Sequence, residues 1–205
     1  MLADKNIKTF LEETASNAPV PGGGSVAALS AALAAALTGM VANLTIGKKG
    51  YEGLEEEMAI IVKEATKYRE SFIKDIDRDS ECFNQVMAAF KLPKGTKEEV
   101  AVRKNTIQTA MKNAALVPLE VAKSALDMMS LVEKVIEKGN KNAVTDGAVA
   151  AMMARTAVLS ALYNVKINLG SIKDAEFVER VGKEVSEIEE KACKIEKALL
   201  GKVKL

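Results

Sequence analysis

Histidine and tryptophan are absent from this sequence, and its 205 residues include only two cysteines and four prolines. Without an imidazole, no mechanism that depends on a histidine base is available, and most zinc and iron sites are excluded. Proton transfer near neutral pH must then fall to Asp, Glu, Lys, Tyr, Cys or water. Cys82 and Cys193 lack the spacing of metal ligands and suit a reducing compartment, so we expect a cytoplasmic protein.

No excess of charge of either sign is present, because 29 Lys and Arg residues face 28 Asp and Glu residues. The near balance gives no general basic field for nucleic acid or for an acidic membrane. Residues 25–46 form an uncharged run that is long enough to span a membrane. Its alanine, serine, threonine and asparagine content, with no flanking aromatic belt, instead favours a helix buried in a helical core or at a subunit interface.

Apolar residues recur at helical spacing throughout the chain, so we predict an all-α fold. Residues 1–205 are expected to form a single-domain bundle of about six long helices. Thr96 and Glu99 make a capping box that opens the fourth helix, and Pro118 inside that helix predicts a kink or a break. The predicted helices cover residues 7–16, 25–46, about 52–90, 97 onward, a stretch ending near 169, and 174–200.

The second and fifth predicted helices are unusually rich in Ala, Ser and Gly. Small residues let helix backbones approach closely, so we expect both helices to be central and surrounded by neighbours. A narrow, alanine-rich helix also covers little area by itself, which favours a dimer of helices. The bundle is therefore expected to be homodimeric, with these small-residue helices in its core or at its interface.

Three glycines, Gly22 to Gly24, stand directly before the alanine-rich run in the segment PVPGGGSVAAL, residues 19–29. No Gly-Lys-Ser/Thr follows, which excludes a P-loop, and no strand precedes, which excludes a dinucleotide-binding fingerprint. Free backbone N–H groups at the start of a helix attract carboxylate or phosphate. The alternative is a tight turn in which Ser25 is the N-cap of the second helix.

Asp79 lies three residues after Ile76 and seven after Phe72, on or beside the apolar stripe of the third helix. A desolvated carboxylate has a raised pKa and can act as an acid or a base near neutral pH. The alternative is an aspartate at the edge of the stripe that pairs with a lysine or an arginine. We expect the neighbouring Asp75 and Asp77 to be solvated.

Polar residues also flank the fifth predicted helix. Asp146, just before that helix, is either its N-cap or a carboxylate presented to a ligand, and Asn140 is either a turn former or a ligand contact. Asn164 and Asn168 lie four residues apart on one face of an otherwise apolar helix. Buried amides need partners, so they bond each other, a neighbouring backbone, or an amide-rich ligand. Lys48 suits the negative pole of the second helix.

Taken together, these signals occur in a fixed order between Phe10 and about Leu169. The segments are PGGGSVAA, MVANLTIGKK, DRDSECF, LPKGT, VPL, GNKNAVTDGAVAA and YNVKINL. This series resembles the cyclodeaminase domain of formiminotransferase-cyclodeaminase and its free-standing microbial relatives. The first and last segments are the most specific, so we interpret residues 1–205 as one cyclodeaminase-like helical domain.

The resemblance implies an all-helical homodimer whose sites lie in the groove between subunits, and a reduced folate as substrate. In the implied reaction, N10 of 5-formiminotetrahydrofolate attacks the formimino carbon, ammonia leaves, and 5,10-methenyltetrahydrofolate forms. Ring closure needs the reacting atoms held together and a proton moved from N10 to the departing ammonia, which a carboxylate of tuned pKa can do. No metal or redox cofactor is implied.

The family pattern carries an aspartate at Asp79 and at Asp146, so both are catalytic candidates, and which one moves the proton stays open. We place the pterin's amide edge against Asn164 and Asn168, a folate carboxylate at the glycine turn, and the glutamate tail near Lys48. The folate-binding candidates are Gly22, Gly23, Gly24, Ser25, Lys48, Asn140, Asn164 and Asn168.

Two other functions fit the same residues. Some free-standing relatives resemble methenyltetrahydrofolate cyclohydrolases, which open the same ring with water to give 10-formyltetrahydrofolate. The other is a non-catalytic helical dimer that binds folate or a protein partner. A polar cluster spread over separate helices argues against the latter, because buried polar groups without a use reduce stability.

Overall fold

The structure is a computed structural model that describes residues 1–204, and within that range the chain forms six α-helices, two short 3-10 turns and no strand. The 3-10 turns are Leu2–Asp4 and Lys141–Ala143. The helices are α1 (Ile7–Thr14), α2 (Gly23–Asn43), α3 (Glu55–Phe90), α4 (Lys97–Lys138), α5 (Val144–Leu169) and α6 (Ala175–Gly201). The all-α bundle expected from the sequence is therefore confirmed.

Helices α2 and α5 are central, as their small residues predict. α2 packs against α3 and α5, and α5 also packs against α4 and α6. Twelve of the 21 residues of α2 are buried, and all of these except Val41 are Gly, Ala, Ser or Thr. Such residues allow the close backbone approach of neighbouring helices. α2 and the segment Lys141–Leu169 are also apolar enough to cross a membrane by length and composition, but most of α2 is buried by its neighbours here.

The beginnings of α2 and α5 differ from the sequence prediction. α2 begins at Gly23 with Gly22 as its N-cap, so Ser25 lies inside the first turn and is fully buried. α5 begins at Val144 with Ala143 as its N-cap, so Asp146 also lies inside a first turn and is not a cap. In α2 the reason is tertiary, because a side chain from α3 occupies the place of a local cap.

The end of α2 is tied to the start of α5 by Asn140, which is 6% exposed. The Asn140 backbone N–H donates to Thr45 Oγ1 at 2.8 Å, and its side-chain Nδ2 donates to the Leu44 carbonyl at 3.0 Å. Its Oδ1 accepts from the Asn142 N–H at 3.0 Å. The two central helices therefore run antiparallel, with the end of α2 beside the start of α5.

Helix α4 passes through Pro118 without interruption from Lys97 to Lys138, so the predicted break is wrong. Its predicted capping box is confirmed: the Glu99 N–H donates to Thr96 Oγ1 at 3.1 Å, and the Thr96 N–H donates to Glu99 Oε2 at 3.1 Å. A proline removes one hydrogen bond from a helix, but packing of the amphipathic faces supplies most helical stability in proteins. α4 packs against α3 and α5.

The helical spacing of the sequence predicts an apolar stripe on α3 that includes Phe72, Ile76, Phe83, Met87 and Phe90, and only its first part lies in the core. Phe72 and Ile76 are buried at 0% and 4% exposure, whereas Met87 and Phe90 are 42% and 43% exposed. The stripe therefore leaves the core after Ile76, and the next turn of α3 faces the beginning of α2. Asp79 lies in that turn.

Candidate active site

A cavity of about 310 Å³ opens at the beginning of α2, and we call it the Asp79 cavity. Four segments of the chain form its walls: the glycine turn, α3, α4 and the last turns of α5. The lining residues are Pro19, Val20, Gly22, Gly23, Gly24, Asp79, Phe83, Val86, Ala114, Asn164, Ile167 and Asn168. Six of the residues proposed from the sequence therefore lie around one cavity.

The glycine turn is crowded by two polar side chains. A methyl group on Gly24 would overlap the Asp79 carboxyl group. A methyl group on Gly23 would come within 3.0 Å of Asn164 Nδ2. Glycine is thus needed at position 24 and favoured at position 23, because side chains from α3 and α5 approach the α2 backbone closely. The positive end of α2 is already occupied by Asp79, so the folate carboxylate that we placed at this turn would meet a like charge there.

The Asp79 carboxyl group is partly buried at the edge of the cavity. Burial raises the pKa of Asp79 above its ordinary value, and the Ser25 hydroxyl and backbone N–H offset part of that rise. Ser25 Oγ lies 3.3 Å from Asp79 Oδ2. A carboxyl group whose pKa is moved toward neutrality can both accept and donate a proton near neutral pH. The sequence-based expectation of a desolvated aspartate is therefore met, and no lysine or arginine pairs with Asp79 among residues 1–204.

Ser25 stands behind Asp79 and away from the cavity. Its hydroxyl donates to the Ile76 carbonyl at 2.9 Å and lies 3.2 Å from Ser80 Oγ. A serine hydroxyl has one proton, so the Ile76 carbonyl and Asp79 Oδ2 share it, while the Ser25 backbone N–H serves Asp79 alone. We therefore assign Ser25 to the support of Asp79, and the direct ligand contact expected for it is not seen in the cavity lining.

Asn164 and Asn168 bond neighbouring backbone, one of the three outcomes left open by the sequence. Asn164 Nδ2 donates to the Ser160 carbonyl at 2.9 Å. Asn168 Nδ2 donates to the carbonyls of Ala114 and Asn164, each at 2.9 Å. Neither Oδ1 atom accepts a hydrogen bond from any residue in the described range 1–204, so both amides keep an acceptor for a ligand.

The comparisons with known proteins agree with this arrangement. Residues 6–187 match the family model described as Formiminotransferase-cyclodeaminase. The chain belongs to the formiminotransferase-cyclodeaminase family. The resemblance inferred from PGGGSVAA and YNVKINL is thereby confirmed.

The chain is similar to proteins of this family with two different names, as three examples show. The methenyltetrahydrofolate cyclohydrolase of Methylorubrum extorquens is 42% identical over 185 residues, which cover 90% of this chain and 89% of that protein. The rat formimidoyltransferase-cyclodeaminase is 32% identical over 93% of this chain, but the match spans only 35% of the rat protein. The crystal structure of the formiminotetrahydrofolate cyclodeaminase of Thermotoga maritima superposes with a TM-score of 0.88 at 33% identity, covering 99% and 98% of the two chains.

Three of the residues proposed from the sequence, Asp146, Lys48 and Asn140, lie far from the Asp79 cavity. They are at the other end of the central helices α2 and α5. Asp146 precedes Asn164 by 18 residues in α5, which corresponds to about 27 Å of helix. Lys48 follows the end of α2, at the same end as Asp146. Asn140 is nearby, and both polar atoms of its side chain are engaged within the chain, so it is a structural clamp. Within one chain, Asp146 and Lys48 therefore do not reach the Asp79 cavity.

The apolar walls of the cavity were not singled out from the sequence as ligand contacts. Phe83 and Val86 contribute from α3, and Ile167 contributes from α5 although it is 74% exposed. Phe83 belonged to the apolar stripe and was assigned to the core. The missed signal was spacing, because Phe83 follows Asp79 by one helical turn and Ile167 lies between the two asparagines.

The aspartates near Asp79 are also corrected by the structure. Asp75 is 4% exposed rather than solvated, and its Oδ1 accepts a hydrogen bond from Arg78 Nη1 at 2.6 Å. Arg78 Nη2 also donates to Glu120 at 2.8 Å. Burial raises the pKa of Asp75, and Arg78 opposes that rise. Asp77 accepts the backbone N–H of Leu2 at 2.6 Å. Both aspartates are thus structural.

A larger and more open groove of about 520 Å³ lies between the end of α3 and the start of α4. It is lined by neutral side chains, with Gln85, Asn105 and Asn113 among them, and it holds no carboxylate. We therefore assign acid–base chemistry to the smaller Asp79 cavity. Among residues 1–204, no group of three or more Cys, Asp and Glu side chains is placed to hold a metal ion.

Proposed function

We propose that this chain acts on the one-carbon unit of a reduced folate, with cyclisation of 5-formiminotetrahydrofolate to 5,10-methenyltetrahydrofolate as the first candidate reaction. The observation that carries the proposal is the partly buried carboxyl group of Asp79 beside two amide acceptors in one cavity. Membership of the formiminotransferase-cyclodeaminase family supports it, as does the fold match to the Thermotoga maritima cyclodeaminase.

The chemistry needs little more than positioning and one mobile proton. N10 and the formimino carbon belong to the same molecule, so holding the folate in a bent conformation supplies much of the rate enhancement. As the N10–carbon bond forms, N10 loses its proton, and the nitrogen that departs as ammonia must gain one. Asp79 can take the first proton and deliver it to the second nitrogen, because its pKa is raised by burial. The cationic product is also stabilised by the Asp79 carboxylate.

The binding mode follows from the cavity walls. The pterin ring carries N–H donors on its amide edge, and Asn164 and Asn168 each present a free Oδ1 acceptor. Phe83, Val86 and Ile167 supply the apolar surface on which a flat ring can lie. In this orientation the amide edge lies against α5 and the one-carbon unit is directed toward α3 and Asp79.

A second candidate reaction is hydrolysis of 5,10-methenyltetrahydrofolate to 10-formyltetrahydrofolate. The observation that favours it is the 42% identity to the Methylorubrum extorquens cyclohydrolase across nearly the full length of both chains. Both reactions pass through a tetrahedral carbon on the same folate, so the Asp79 cavity serves either one. In hydrolysis, Asp79 would take a proton from the attacking water.

We also propose that the protein is a homodimer that pairs through an apolar face of α2 and α5, which we call the α2–α5 face. Its side chains are exposed in the single chain although they are apolar, and they recur at helical spacing. They are Val26, Leu33 and Met40 on α2, and Val149, Met152 and Tyr163 on α5. Two copies related by a twofold axis that lies in this interface and is perpendicular to α2 would bring the start of α2 in one copy toward the end of α2 in the other.

This pairing offers a place for the candidates that one chain leaves apart. In an antiparallel dimer, Asp146 and Lys48 of a second copy would approach the Asp79 cavity of the first. Asp146 then becomes a second carboxylate of the same site, and Lys48 a partner for the glutamate tail. Mixed subunits test this: Asp79→Asn and Asp146→Asn chains, each inactive alone, should regain about a quarter of the wild-type rate when mixed, because one site of each heterodimer is intact. No recovery would show that Asp146 of one copy does not complete the Asp79 cavity of the other.

The catalytic proposal is tested with both folates. Purified protein is mixed with 5-formiminotetrahydrofolate or with 5,10-methenyltetrahydrofolate, and methenyl absorbance and ammonia are followed. Gain of absorbance with ammonia identifies the cyclodeaminase, and loss of absorbance without ammonia identifies the cyclohydrolase. Asp79→Asn should lower kcat by at least about a hundredfold with unchanged helical content. Folate binding without turnover of either compound would leave a non-catalytic folate-binding dimer and would refute the enzyme proposal.

A further inference from the structure

Pro118 leaves one carbonyl of α4 without its usual partner. In an α-helix the N–H of residue 118 would donate to the carbonyl of residue 114, but proline has no N–H and its ring pushes that carbonyl aside. Ala114 is 9% exposed, so solvent does not readily satisfy the freed carbonyl. A buried carbonyl without a partner lowers stability.

The missing partner comes from the Asp79 cavity. Asn168 Nδ2 on α5 donates to the Ala114 carbonyl at 2.9 Å. The same nitrogen donates to the Asn164 carbonyl at 2.9 Å. An amide nitrogen carries two protons, so both are used and the amide group has only one orientation that satisfies both carbonyls. The Oδ1 atom is thereby held on the other side of the group.

We propose that Pro118 is a positioning residue for ligand binding in the Asp79 cavity, acting through the Ala114 carbonyl that it frees for Asn168. The inference rests on the proposed function for its substrate, a reduced folate. By fixing the Asn168 amide, Pro118 makes this position of the cavity an acceptor only. It selects a ligand group that donates a hydrogen bond at that point, such as the N–H edge of a pterin, against one that accepts.

Restoring the backbone N–H reverses the arrangement. In Pro118→Ala, the N–H of residue 118 donates to the Ala114 carbonyl along the helix, and the proline ring no longer pushes that carbonyl toward α5. The hydrogen bond from Asn168 to Ala114 is therefore weakened, and the amide is held mainly by the Asn164 carbonyl. The effect on binding is the loss of one oriented hydrogen bond, which corresponds to about a five- to tenfold rise in KM with kcat within about twofold. Pro93→Ala is the matched control, because Pro93 is exposed in the loop before α4.

A spectroscopic measurement reports the positioning directly. The side-chain NH₂ signals of Asn168 are identified by their absence in Asn168→Ala, and their exchange with solvent is measured by ¹⁵N NMR. We expect slow exchange in the wild type and in Pro93→Ala, and exchange at least about tenfold faster in Pro118→Ala. Circular dichroism verifies that α4 stays helical. Equal exchange in Pro118→Ala and the wild type would overturn the inference.

A double-mutant cycle separates positioning from a general effect on the fold. Asn168→Ala alone should raise KM by about tenfold, and adding Pro118→Ala should raise it no further, because both changes act through one amide. KM penalties that multiply would overturn the inference. If the wild type turns over neither folate, the proposed function fails by itself, and the NH₂ exchange then decides whether Pro118 orients Asn168.

Discussion

The Asp79 carboxyl group occupies the space that a side chain at Gly24 would need. α3 and α2 therefore meet at a point where one contributes a carboxyl group and the other only backbone. The same contact places the carboxylate at the positive end of α2, which favours its charged form. Burial works in the opposite direction and raises the pKa of Asp79. The proton affinity of this group is thus set jointly by two helices that are distant in sequence.

Gly24→Ala should displace the Asp79 carboxyl group from its contact with α2. The added methyl group overlaps the Asp79 carboxyl group, so that side chain has to turn away or the two helices have to shift, and we expect a loss of about 1–3 kcal/mol in the free energy of unfolding. Turnover should fall with it because Asp79 is displaced. Gly182→Ala is the control: nothing lies within 4 Å of an added methyl group there, and a gain of up to about 1 kcal/mol is expected. Urea unfolding measures both, and an unaffected Gly24→Ala protein would contradict the close contact.

Asp79→Asn should change the pH dependence of stability. Burial raises the pKa of Asp79 in the folded state above its ordinary value of 3.8. The favourable contribution of the protonated form is complete below pH 3.8 and is lost as pH rises through the higher folded pKa. The asparagine variant has no such loss, so its free energy of unfolding should gain on the wild type as pH rises from about 4 toward 7. A wild type that instead gains stability relative to the variant over this interval would show that the pKa is lowered.

Arg78→Ala should leave Asp75 without its partner. Asp75 is 4% exposed, and an unpaired buried acceptor costs about 1–3 kcal/mol at pH 7. The loss should be smaller near pH 4, because Asp75 takes up a proton more readily without the guanidinium group. Lys67→Ala serves as the control, since its pair with Glu64 is exposed on α3 and contributes about 0–0.5 kcal/mol. Equal effects of the two variants in denaturant unfolding would argue against the buried ion pair.

Leu33→Glu should dissociate the proposed dimer. Leu33 is 47% exposed in the centre of the α2–α5 face, and burying an unpaired charge between two copies is strongly unfavourable. Light scattering after size-exclusion chromatography should give one chain mass for this variant and two for the wild type. Val102→Glu, on the exposed start of α4 at 61% exposure, should keep the wild-type mass. A Leu33→Glu protein that remains dimeric would place the interface elsewhere.

Local patterns predicted the helices well because each pattern is decided within a few residues. The capping box of Thr96 and Glu99 needs only one turn of backbone, and the small residues of α2 predict a buried helix wherever it lies. Asp79 was found in the same way, from its distance to Ile76 on one helix face. These features depend on periodicity, which the sequence carries directly.

The errors concern contacts between segments that are far apart in sequence. Capping of α2 by Ser25 was one of two alternatives, but the Ser25 backbone N–H instead bonds Asp79 on α3, and no local rule foresees a partner 54 residues away. A kink or a break of α4 was expected at Pro118, but α4 is not broken there, and α5 supplies a donor for the freed carbonyl. Asp146 was grouped with Asp79, yet the antiparallel course of α2 and α5 separates them in one chain. Each of these three outcomes can be predicted only when the packing of the helices against one another is known.

The crowding around α2 also determines where this protein can accept change. Because nearly all buried positions of α2 hold Gly, Ala, Ser or Thr, even one added methylene forces neighbouring helices apart. α6, with its many Lys and Glu residues, is free of this restriction on its outer surface. Engineering for heat resistance or immobilisation therefore belongs on α6. Enlarging the side chains of α2 would instead push α3 and α5 away from α2 and so displace Asp79 and Asn164.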